Sequence, residues 1–113
     1  MKLAITVKTA SPDTQVETRF GRTPYFAICD LDGENEVEFI ENLATLEAHG
    51  AGVMAAQTLI DHGVDTIVCA KYGPNGSRAL QQAGIQCYVF ANENTLTDVL
   101  EAYKNGTLVQ FSE

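Results

Sequence analysis

No apolar run in this sequence approaches the ~20 residues that a membrane-spanning helix needs. The apolar part of Met1–Lys8 is too short for a signal peptide and a lysine closes it, so the segment reads as a strand. Cysteine is scarce: Cys29, Cys69 and Cys87 stand 40 and 18 positions apart, with no C-x-x-C. That spacing excludes a zinc ribbon and a self-sufficient cysteine-ligated iron–sulfur motif. Reduced thiols in a cytoplasmic protein are expected. Positive charge is also scarce. Seven Lys and Arg face 15 Asp and Glu, for a net charge of −8. Nucleic acid and acidic membranes are therefore not expected partners, because both select a basic footprint. There is no Gly-x-Ser-x-Gly elbow and no Gly-rich loop ending in Lys-Ser/Thr, so neither a hydrolase triad nor a P-loop is indicated.

What is there is an ordinary globular composition: 113 residues, 45% hydrophobic and 19% charged. Such a chain buries about two-thirds of its unfolded surface and is expected to form a single domain over residues 1–113. Leu3, Ile5 and Val7 alternate as a strand over residues 2–8. Residues 24–31 and 36–43 flank Asp32-Gly33-Glu34-Asn35, a hairpin turn signal. In the second arm Val37, Phe39 and Leu43 share one face against Glu36 and Glu38, as in a half-exposed edge strand. The period then changes. Helices are predicted over 52–62, 75–83 and from Thr95, with Gly63, Gly84 and Gly106 as their stops. Short strands are predicted over 65–70 and 86–90. The order β-β-β-α-β-α-β-α implies an α/β fold: a mixed five-stranded sheet, part hairpin and part parallel, with helices packed on it.

Ligands of open α/β sheets bind beyond the carboxyl ends of the parallel strands. The loops 9–23, 44–52, 70–75 and 91–95 would share that edge. Five of the seven basic residues, Lys8, Arg19, Arg22, Lys71 and Arg78, lie in or beside them. Two predicted helices also begin there, and helix N-termini attract anions. The expected ligand is therefore negatively charged. His49 is the one side chain at this edge suited to metal ligation near neutral pH. Its alternative reading is a loop histidine capping the following helix. Cys69 closes the fourth strand, where its thiolate would either ligate a metal or lie buried as structure. Arg22 would fork onto a carboxylate of a ligand or of a neighbour. Gly73-Pro74-Asn75-Gly76 reads either as an anion cradle or as a tight strand-to-helix turn.

The ordered set Arg19-Phe20-Gly21-Arg22-Thr23-Pro24-Tyr25-Phe26, His49-Gly50-Ala51-Gly52, Gly73-Pro74-Asn75 and Ala83-Gly84-Ile85 resembles the dinitrogenase iron–molybdenum cofactor biosynthesis family. That family includes NifX, NifY and the C-terminal domain of NifB, and the resemblance covers about residues 1–108. It implies a ribonuclease H-like fold and no catalysis. It also implies binding of an iron–sulfur or iron–molybdenum–sulfur cluster that is passed between donor and acceptor proteins, as in nitrogen fixation. By position, His49 would be the cluster ligand, Arg19 and Arg22 would compensate cluster charge, and Gly50, Gly52, Gly73 and Asn75 would shape the pocket. Beyond the resemblance, Cys69 at the end of the fourth strand would aid as a second metal ligand, and Lys71 in the same loop would add to the charge compensation. The chain departs from the family pattern at Lys71 and Tyr72, where small residues are common, and at Gly76, where alanine is common. Lys71 and Tyr72 would fill the pocket, or supply a cation and a lid.

The leading expectation is non-enzymatic carriage or storage of an anionic metal–sulfur cluster. The alternative is a small regulatory or protein-interaction domain that binds no metal. A nuclease is not expected. Ribonuclease H chemistry requires several carboxylates around two divalent metals, and the carboxylates here lie mostly in the hairpin turn, the edge strand and helix ends. The pattern leaves monomer and oligomer both open.

Overall fold

The computed structural model describes residues 1–33 and 36–111. In chain order the elements are β1 (Lys2–Val7), β2 (Tyr25–Asp30), β3 (Val37–Glu41), a 3-10 turn (Leu43–Leu46), α1 (Ala51–Asp61), β4 (Thr66–Cys69), α2 (Pro74–Gln82), β5 (Gln86–Val89), α3 (Leu96–Lys104) and β6 (Val109–Gln110). One sheet holds all the strands in the order β3-β2-β1-β4-β5-β6. β1 pairs antiparallel with β2 and parallel with β4, and β4 pairs parallel with β5. The order 3-2-1-4-5 with β2 reversed is the ribonuclease H-like arrangement. It places the carboxyl ends of β1, β3, β4 and β5 along one edge.

The sheet has six strands, not the expected five. The sixth is the two-residue β6, antiparallel to β5, with Val89 opposite Val109. Two residues are too few for alternation to register in a sequence, and both side chains of β6 are exposed. The β2–β3 pair runs from Cys29 opposite Val37 to Tyr25 opposite Glu41, as a hairpin should. Glu34 and Asn35 of its turn signal lie outside the described residues. β3 is the edge strand that its alternating glutamates suggested. It stops at Glu41, however, so Leu43 does not share a face with Val37 and Phe39. The reason is Asn42, whose side chain accepts the N–H of Ala44 and starts the 3-10 turn.

Helix boundaries follow local chemistry. Pro74 occupies the first turn of α2, where its missing N–H costs nothing. Thr95 and Asp98 form a reciprocal capping box on α3. Both crossovers, β3-α1-β4 and β4-α2-β5, step the same way across the sheet, and right-handedness places α1 and α2 on the same face. Phe20 packs on Phe26 on that face, at 5.7 Å between rings. On the other face Tyr103 of α3 meets Tyr88 of β5 edge-on at 5.7 Å. The core between the layers includes Leu3, Ile5, Phe26, Leu59, Ile67, Val68, Leu80 and Val99, all fully buried.

Candidate functional site

β1 and β4 are neighbours whose outgoing connections run to opposite sides of the sheet. In open α/β sheets that switch point is where a ligand crevice opens. Here the chain itself occupies it. Residues 14–20 form a strap across the carboxyl edge, held on both sides by backbone bonds. Lys8 N–H donates to the Gln15 carbonyl at 3.0 Å and Glu17 N–H to the Thr6 carbonyl at 2.9 Å. Val16 N–H reaches the Asn94 carbonyl at 2.9 Å. On the β4 side, Lys71 N–H donates to the Thr18 carbonyl at 2.7 Å and Phe20 N–H to the Lys71 carbonyl at 3.0 Å. The strap leaves two clefts, one on each side of it.

The first cleft, of about 440 Å³, is walled by Arg19 to Arg22, by Ala51 and Gly52 at the start of α1, and by Lys71 to Gly73. Three elements meet there at glycines. A Cβ on Gly21 would stand 3.1 Å from the Gly52 nitrogen, and one on Gly52 would stand 3.3 Å from the Cα of Gly76. These contacts bring the α1 N-terminus against the strap and against α2. Gly50 precedes α1 with φ 75°, a left-handed conformation that glycine adopts without strain, and no side chain caps the helix. No side-chain cap therefore satisfies the first-turn N–H groups of α1, which carry the positive end of its dipole.

A sequence profile of the dinitrogenase iron–molybdenum cofactor family matches residues 1–106. The chain belongs to that family. Among solved structures, the apo form of the orange protein from Desulfovibrio gigas aligns with TM-score 0.92 and 28% identity, covering 98% of this chain and 92% of that one. The NMR structure of a NifB-related protein from Thermotoga aligns with TM-score 0.85 and 30% identity, covering 99% and 97%. A dinitrogenase-related protein from Methanocaldococcus jannaschii, at 17% identity and TM-score 0.75 with 100% and 96% coverage, shares the fold. No curated protein shows significant sequence similarity to the chain.

The residues expected at a family cluster site do not all converge. Arg19, Arg22, Gly52, Lys71 and Gly73 line the first cleft. His49 is exposed, two residues ahead of Ala51, with no hydrogen-bond partner among the described residues, so it does not cap α1. Asn75 faces a separate groove between α1 and α2, together with Val53 and Arg78. Lys8 lines the second cleft, of about 360 Å³, with Gln15, Thr18, Phe90, Glu93 and Asn94. The strap and the helix pair thus divide the five edge cations into three, one and one.

Partners of the three cleft cations leave their charge largely available. Arg22 donates from Nη1 to the Glu47 carbonyl at 2.9 Å, a neutral acceptor rather than the carboxylate its fork suggested. Arg19 lies 3.7 Å from Glu17 at an exposed position. Burial opposes ionisation of Glu17, but the N–H groups of Arg19 and Thr18 and the nearby guanidinium outweigh it and hold its carboxyl below the usual range. No ion pair to Lys71 occurs among the described residues.

Cys69 lies below the cleft. It is fully buried, and its thiol donates weakly to the Lys71 carbonyl at 3.5 Å. Burial pushes its pKa far up, so the thiol is protonated in the metal-free protein. Cys29 and Cys87 are also buried, and burial pushes each up to about 11. Tyr72 is no lid. Its hydroxyl turns inward, donating to the Tyr88 carbonyl at 2.7 Å and the Ile67 carbonyl at 3.1 Å, with its ring against Phe20 and Phe111. Among the described residues, no group of three His, Cys, Asp or Glu is placed to hold a metal ion.

Two supporting residues were not among those expected at the site. Thr23, fully buried, donates from Oγ1 to the carbonyls of Val7 and Tyr25. Asn42, also buried, donates from its side-chain amide to the carbonyls of Gly21 and Thr23, just beyond the strap. The only signal in the sequence was an asparagine at a strand end before a short non-alternating stretch, a position that favours side chain-to-backbone bonding.

Proposed function

We propose that this protein binds an anionic metal–sulfur cluster as cargo, of iron–sulfur or iron–molybdenum–sulfur type, and carries or stores it without catalysis. The observation that carries this reading is the placing of Arg19, Arg22 and Lys71 around one cleft at the uncapped N-terminus of α1. In a chain of net charge −8, a cleft with three cations and uncapped N–H groups selects negative charge. Membership of the cofactor family supports a metal–sulfur anion over other anions.

The donor set defines how cargo would be held. Buried thiols and the lack of a three-ligand group among the described residues disfavour building a cluster from free metal ions. The cleft suits a preassembled anion that brings its own sulfide ligands. Arg19, Arg22 and Lys71 would balance its charge, Gly50, Gly52 and Gly73 would let it approach the backbone, and His49 would supply one reversible metal ligand from the mouth. Cys69 is left out of that set, and Asn75 lies outside the cleft. A donor would load this edge and an acceptor would unload it.

The same absence of a three-ligand group favours one second reading, a regulatory domain that binds a small metal-free anion. Anaerobic calorimetry separates the two. Tetrathiomolybdate and a preassembled iron–sulfur cluster should bind tightly, and molybdate and common anionic metabolites should bind weakly. Binding of the metabolites alone would overturn the cluster reading.

A further inference from the structure

Asn42 uses every polar atom it has, inside a buried site where only 1% of its surface is exposed. Its Nδ2 donates to the Thr23 carbonyl at 2.9 Å and the Gly21 carbonyl at 3.3 Å. Its Oδ1 accepts the Ala44 N–H at 3.2 Å. Its own N–H donates to the Pro24 carbonyl at 2.9 Å, and its carbonyl accepts the Thr45 hydroxyl at 3.1 Å. One face of this residue thus holds residues 21–24, which continue the Arg19–Arg22 wall of the cleft. The other face starts the 3-10 turn that leads through Glu47 to His49. The second tie between the same two segments is the exposed bond from Arg22 to the Glu47 carbonyl.

We propose that Asn42 is the positioning residue that sets the His49 loop against the cationic wall of the cleft. The assignment rests on the cargo reading above for its functional meaning, and on geometry alone for its structural meaning. Asn42 touches no ligand. It acts through Gly21 and Thr23 on one side and Ala44 and Thr45 on the other. An aspartate cannot replace it, because a carboxylate keeps the acceptor for Ala44 N–H but presents lone pairs to two carbonyls. Alanine leaves the same groups unpaired and buried, where each lost partner is costly.

The test uses Asn42→Asp and Asn42→Ala in the full chain. In the ligand-free protein, amide exchange over residues 43–50 should quicken and the His49 imidazole resonances should shift, while α3 keeps its protection. Anaerobic tetrathiomolybdate titration should show about tenfold weaker binding in the folded variant, the loss of roughly 1.4 kcal/mol. A structural role without positioning would lower the melting temperature but leave exchange over 43–50, the His49 signal and affinity unchanged below the melt, and would overturn the proposal. If neither variant folds, the wild type decides: slow exchange of the Asn42 side-chain NH2 upholds the tie, and solvent-like exchange overturns it. Should the wild type bind neither tetrathiomolybdate nor a preassembled iron–sulfur cluster, the cargo reading fails, while the ligand-free measurements still judge the positioning.

Discussion

Gly52 and Gly76 lie backbone against backbone: a Cβ built on either glycine would stand 3.3 Å from the Cα of the other. This contact closes the N-terminal ends of α1 and α2 and sets how tightly they bracket the cleft. At Gly76 the added carbon would also meet the Phe20 ring at 3.2 Å, and helix backbone cannot yield as a flexible side chain does. Gly76→Ala should therefore destabilise the fold by about 1–3 kcal/mol, as overpacking does. Urea melts give the value. An unchanged or higher midpoint would mean that the helices part freely.

The cleft charges should act locally. Arg19→Gln and Lys71→Gln should each weaken tetrathiomolybdate binding several-fold, and the losses should shrink as added salt screens the exposed charges. Lys8→Gln removes the same charge from the chain but lies across the strap, in the second cleft. It should leave affinity within about twofold under the screening of 0.1–0.2 M salt, where the Debye length is ~10 Å. Equal effects from all three variants would show that net charge, not the cleft, governs binding.

Much of this architecture was legible from periodicity. Helix–glycine–strand repeats marked α1 to β5, and the glutamates of residues 36–43 marked an edge. β6 was not legible, because its two residues make a strand only by pairing with β5. The cationic cleft was half legible. Sequence placed five basic residues along one edge, but the partition depends on where residues 14–20 cross. That crossing is set by backbone bonds, which carry no side-chain signature. Cys69 takes the buried one of its two readings, and Tyr72 points inward where a lid was one reading. Position in the chain put them at the rim, and side-chain direction turned them inward.

His49 has no hydrogen-bond partner among the described residues and is exposed, so His49→Ala should change stability by no more than about 0.5 kcal/mol. Its effect should fall on the cargo. Anaerobic transfer of a preassembled iron–sulfur cluster to the variant should give a weaker charge-transfer band than the wild type. A band of equal intensity and position would remove His49 from the ligand set and leave the cargo held by charge and N–H groups alone.

Tyr72 separates the lid idea from the structural one. Tyr72→Phe deletes the bonds to the Ile67 and Tyr88 carbonyls but keeps the ring against Phe20 and Phe111. Thermal unfolding should show a loss of about 1–2 kcal/mol, with tetrathiomolybdate affinity unchanged. A variant of normal stability and altered affinity would instead mean that the hydroxyl reaches the cleft.

The buried thiols predict a loss of stability in alkali. An unhindered thiol ionises near 9, and burial pushes Cys29 and Cys87 to about 11. The folded-state values are raised, so their contribution is complete below pH 9. It declines from there to about pH 11, because the unfolded chain releases these protons first. Each thiol contributes to the decline across that window. Cys69 and the Tyr72 hydroxyl, raised further by burial, act in the same direction. Urea melts at pH 8, 9, 10 and 11 should show the decline. Cys87→Val, which keeps an apolar side chain and removes the titrating group, should flatten it. Cys87→Val with the full wild-type slope would place that thiol in contact with water, and a thiol open to water could join the ligand set from which burial excludes it.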